Sequence, residues 1–142
     1  MSNIWAKGIL LYFICFFCMA KQSFIVIVNI NNPQKIDREF IKNVSSDIIS
    51  TWDNGDQIKI YLPKEKSEAR NAFAHNVLGI SANLDVRNWQ NKKITNTLNN
   101  KMPKQLSDKM IIRMVAKHKE AFGYISAASL NNNPNIKSVL RY

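Results

Sequence analysis

Redox, metal and nucleophilic chemistry find almost nothing to work with in this chain. Its 142 residues include two cysteines and two histidines. Cys15 and Cys18 both fall in one apolar N-terminal stretch, so the chain beyond it has no thiol for a disulfide or a zinc site. His75 and His118 belong to no His-x-x-x-His or His-x-Glu pattern. His75 is expected at an exposed or half-buried place on an amphipathic helix. His118 lies in a Lys-His-Lys run near a helix end, where the dipole favours a cation. No nucleophile, base and carboxylate stand in a recognisable arrangement. The expectation is a non-enzymatic protein with no catalytic residue, no metal and no cofactor. Aromatics are too sparsely interleaved with basic residues to form a base-stacking platform. Repeats and low-complexity tracts are also missing.

A long hydrophobic run is lacking too. The uncharged apolar segment at residues 8–20 has 13 residues, short of the roughly 20 that a spanning helix needs. Lys7 precedes it, and Cys18-Met19-Ala20 ends it with small residues at −3 and −1. This favours a cleaved signal peptide, residues 1–20, over a membrane anchor. The bulky Phe16-Phe17 before Cys18 disfavours a lipidation site. Export to the periplasm or medium is expected, with residues 21–142 as one domain large enough for a real core.

Negative charge is scarce in one half only. Residues 21–85 carry eight Lys/Arg and eight Asp/Glu, whereas residues 86–142 carry eleven Lys/Arg against Asp108 and Glu120. With Lys7 these account for the net +10. The asymmetry either keeps the surface soluble or attracts an anionic partner: a small oxyanion, an acidic protein, lipid headgroups or nucleic acid. An export signal disfavours nucleic acid.

Hydrophobic patterning predicts strands at 23–29, 57–62, 122–126 and 136–141. It predicts helices at 37–44, 67–78, 81–91 and 107–119. Ser81 and Ser107 are candidate N-caps, and Asp37 opens the first helix. Trp52-Asp53-Asn54-Gly55 reads as a turn, as does Asn131-Asn132-Asn133. Residues 92–106 read as the longest irregular stretch. Alternation of strand and helix implies an α/β fold with a mixed, mostly parallel sheet flanked by helices. In the second helix Ala69, Ala72, Phe73, Val77 and Leu78 form the apolar face; in the fourth, Met110, Ile111, Met114 and Val115 do. Lys109, Arg113 and Lys117 then form a basic stripe about 12 Å long.

The segment most charged with function follows the second strand, where Pro63 and a charged loop lead into a helix beginning near Ser67. A helix start leaves amides unpaired and carries partial positive charge, so an oxyanion fits there. Ser67 and Arg70 would add a hydroxyl and a forked cationic donor. The alternative for Arg70 is a surface ion pair, with Glu68 serving the dipole.

Ser67, Arg70 and Phe73, running on to Leu78-Gly79, resemble the Ser-x-x-Arg-x-x-Phe…Leu-Gly helix of phosphate-type periplasmic substrate-binding proteins. Ala121-Phe122-Gly123-Tyr124-Ile125 resembles that family's late strand, and Phe24-Ile-Val-Ile-Val-Asn29 its opening one. The likeness covers nearly everything after residue 22, at the size of a single lobe. Departures are Lys66 where the family often has Gly, no Ser-Gly-Thr-like cradle, and Asn29-Ile-Asn-Asn-Pro33 in place of a Gly/Ser-rich loop. The resemblance implies recognition of phosphate or a similar oxyanion through Lys66, Ser67 and Arg70, and an ABC permease or other envelope partner. Full binding proteins close two lobes over the ligand, so a lone lobe would need a partner or a homodimer to exclude water. The alternative function is an interaction module that docks an acidic protein or lipid surface through the basic C-terminal half.

Overall fold

The computed structural model describes residues 23–142; the expected signal peptide, its cleavage point and both cysteines lie outside them. Along the chain come β1 (Phe24–Asn29), α1 (Arg38–Ser45), β2 (Lys59–Leu62) and α2 (Glu68–Phe73). A π-helical turn (Ala74–Leu78) continues α2 without a break. Then follow α3 (Ala82–Ile94), β3 (Lys104–Gln105), α4 (Asp108–Lys117), β4 (Ala121–Ser126), a 3₁₀ turn (Ala127–Ser129) and β5 (Ile136–Arg141).

The five strands form one sheet in the order β3-β2-β4-β1-β5. β2 runs parallel to β3 and β4, and β1 runs antiparallel to β4 and β5, so four strands point one way and β1 opposes them. Alternate residues of β1 feed two cores. Phe24, Val26 and Val28 join Ile60, Leu62, Phe122 and Tyr124 under α1, α2 and α3, with Phe73 and Trp89 among the covering side chains. Ile25 and Ile27 join Tyr61 and Ile125 under α4, through Ile111, Ile112 and Val115. Both faces of β1 are covered, which is why it reads as an unbroken apolar run.

Asp37, Ser67, Ser81 and Ser107 each cap a helix, accepting from the amides of Phe40, Arg70, Leu84 and Met110. Phe73 and Met114 pack on the sheet as expected, but from opposite faces. The apolar face of α4 needs one correction. Ile112 is buried, while Met110 is exposed, because α4 presents Ile111, Ile112 and Val115 to the sheet. A second correction concerns residues 92–106, where α3 runs on to Ile94 and Lys104–Gln105 forms an edge strand.

Gly123 explains how closely α4 sits. A Cβ there would meet Ile111 Cγ2 and the Tyr61 carbonyl oxygen, each at 2.9 Å. A side chain at this position would have to push away both the neighbouring strand and the helix above.

Candidate functional site

The loop at residues 63–67 leaves the C-terminal end of β2 and enters α2. In open α/β sheets this is where ligands generally sit, outside the carboxyl ends of parallel strands. Lys66 is exposed and Ser67 half-buried. The Ser67 carbonyl accepts the first intrahelical bond, from Asn71 N–H at 3.2 Å, and its hydroxyl accepts from Arg70 N–H at 3.2 Å. Helix geometry leaves the amides of Glu68 and Ala69 without intrahelical acceptors.

Arg70 does not lie where a surface ion pair would put it. The residue is only 1% exposed. Its Nε and Nη2 donate to Asp85 Oδ2 at 3.3 and 3.1 Å, and its Nη1 donates to the Pro63 carbonyl at 3.1 Å. One guanidinium thus ties α2 to α3 and to the loop that precedes α2. Asp85 is itself buried, and burial pushes its carboxyl above the usual carboxylate range against the opposing pull of Arg70. Beyond these bonds Arg70 forms part of the wall of a cleft of about 60 Å³, with Leu62, Trp89 and Gln105 among its other residues.

Tyr124 lies under the same helix. Its ring stacks on Phe73 with centroids 4.0 Å apart, and its hydroxyl is buried with no hydrogen-bond partner among the described residues. Burial also raises the phenol far above its ordinary pKa, so it stays protonated.

The other sequence candidates lie apart. His75 is exposed on the π-helical turn, beside a shallow cleft that also includes Asn71 and Ser81. His118 Nδ1 lies 3.9 Å from Glu120 Oε1, at the far end of α4. No group of three or more His, Cys, Asp or Glu side chains among the described residues could hold a metal ion.

Asp85 is the member of this group that the sequence did not reveal. It stands 15 positions after Arg70 in a separate helix, and its i, i+4 partner Trp89 marks the buried side of α3. An acidic residue in register with a buried tryptophan was the available signal.

No protein-family model matches the chain, and no curated protein matches it in sequence. Solved structures do resemble it in fold. An ABC-type phosphate transport receptor from Vibrio cholerae matches at 18% identity and TM-score 0.60, over 83% of this chain and 45% of that one. A possible phosphate binding protein from Planctomyces limnophilus DSM 3776 matches at 15% and 0.62, over 83% and 40%. A protein from Clostridium perfringens, described as a candidate phosphate ABC transporter substrate-binding protein and solved with phosphate bound, matches at 22% and 0.60, over 83% and 44%. The chain therefore spans under half the length of these structures, and it shares with them a mixed α/β fold of the substrate-binding-protein type.

Proposed function

We propose that this chain is an exported, non-enzymatic binding protein built as one lobe of the substrate-binding-protein fold, and that it recognises phosphate or a similar oxyanion. The observation that carries this is the loop at residues 63–67, which lies at the carboxyl end of β2 and brings together an exposed ammonium, a capping hydroxyl and free helix-start amides. The fold likeness to three phosphate-transport or phosphate-binding structures supports it.

In this reading Lys66 and the Ser67 hydroxyl contact the anion, together with the Glu68 and Ala69 amides. Arg70 acts as a positioning residue, because its bond to the Pro63 carbonyl fixes the loop from behind. A permease, another envelope protein or a second copy of the chain would cover the open side.

Thermal unfolding with phosphate, sulfate and related anions tests the reading, since an anion that binds the folded state raises its stability by mass action. Phosphate or a related oxyanion should raise the midpoint saturably. Ser67→Ala should weaken that binding about fivefold, for a hydroxyl bond worth about 1 kcal/mol, and Lys66→Ala by a similar factor. A midpoint that no anion moves, or binding that both variants leave intact, would reject the site.

A further inference from the structure

Toward the opposite end of β2 lies another cleft, of about 240 Å³, between α4, β2 and the segment leading into β3. Lys59, Lys101, Lys104 and His118 line it together with Met102 and Met114. Three of its lining side chains, Lys59, Lys101 and Lys104, are cationic hydrogen-bond donors. Glu120, the carboxylate that pairs with this group of cations, is already held by Lys59 at 2.9 Å. Asn100 Oδ1 accepts from Gln57 Nε2 and from Lys101 N–H. Lys101 and Lys104 form no ion pair among the described residues.

The backbone adds another donor. Lys59 N–H bonds to Glu120 O on the β4 side, so the next residue, Ile60, turns its amide toward the outer edge. Pairing with β3 begins only at Tyr61↔Lys104, which leaves the Ile60 N–H without a strand partner. An occupant must therefore bring acceptors, and carry an apolar group for Met102 and Met114.

Positive charge also extends beyond the cleft. Lys109, Arg113 and Lys117 are exposed along α4, a further stripe of about 12 Å at 1.5 Å per residue. A small anion would leave that stripe unused, and a flat bilayer would not reach a recessed amide. We propose that this cleft seats an extended acidic segment of a partner protein. Its carboxylates lie on Lys101, Lys104 and the α4 stripe, one apolar side chain rests on Met102 and Met114, and a main-chain carbonyl accepts from Ile60 N–H. The proposal does not depend on an anion at Ser67, and each can fail alone.

The test is an NMR titration of the ¹⁵N-labelled full chain with a short glutamate-rich peptide carrying two leucines. The Ile60 and Lys104 amides should shift saturably, and added salt should weaken the binding. Lys101→Glu with Lys104→Glu, both exposed and so compatible with folding, should reduce affinity about tenfold. Lys35→Glu with Lys42→Glu, on the other side of the sheet, should change it less than about twofold. Several results would overturn the proposal: an Ile60 amide that never moves, equal losses from the two double variants, or vesicles of phosphatidylglycerol or an oligonucleotide engaging the cleft where the peptide does not.

Discussion

A single side chain, Arg70, links the sequence motif to the interior. Three of its N–H groups are committed to Asp85 and to the Pro63 carbonyl, so its substitution reports on the fold before it reports on a ligand. Arg70→Met should cost about 3–5 kcal/mol, because it strands a buried carboxylate. The double change Arg70→Met with Asp85→Leu should recover most of that loss, since an apolar pair of similar volume replaces a buried ion pair at little cost. The single variant carries a pH signature. Without its cation Asp85 titrates still higher in the folded state, so the native form binds more protons than the unfolded chain, whose carboxyl titrates near 3.8. The deficit is therefore widest above the variant's folded pKa and narrows as pH falls toward 3.8. Urea unfolding of the three proteins between acid and neutral pH would show this. A pH-independent deficit, or a double variant no better than the single, would mean that Arg70 matters by volume alone.

Secondary-structure elements were legible wherever a local rule fixed them. The helix starts at Ser81 and Ser107 could be read because a capping hydroxyl followed by an apolar face is a local signal. β1, β2, β4 and β5 could be read because each carries enough apolar or β-branched residues to mark a strand. β3 could not. Its two residues, Lys104 and Gln105, are exposed, and they are a strand only because the edge of β2 is there to pair with. The inward turn of Arg70 was hidden for a similar reason, since the carboxylate that accepts it comes from another helix. The π-helical turn has no sequence signal that patterning can detect; it ends at Gly79, whose φ of 67° suits the left-handed closure. At element scale the sharpest expectation is Gly123→Ala. A methyl group would meet both α4 and the β2 backbone, and overpacking of this kind costs about 1–3 kcal/mol. Thermal melts would measure it, and an unchanged midpoint would show that α4 can simply lift.

At the scale of the whole molecule, the sheet joins distant parts of the chain. Among the described residues β1 pairs with β4 and β5 and with no other strand. Its six residues are all buried, yet every strand that covers their edges lies beyond residue 120. Sheets built from such remote pairings close late, and α/β domains dominated by them fold on the millisecond-to-second scale rather than in microseconds. Stopped-flow refolding should find that slow range, and a microsecond phase carrying the full amplitude would contradict it. During synthesis, residues 24–29 emerge well before the last fifth of the chain, for which they must wait before they have a place to go. Until then they form a sticky, unpaired segment of the kind that holding chaperones bind. For a protein proposed to leave the cytoplasm this delay has a use: a chain that cannot complete its sheet early is still loose enough to be threaded through a translocation channel.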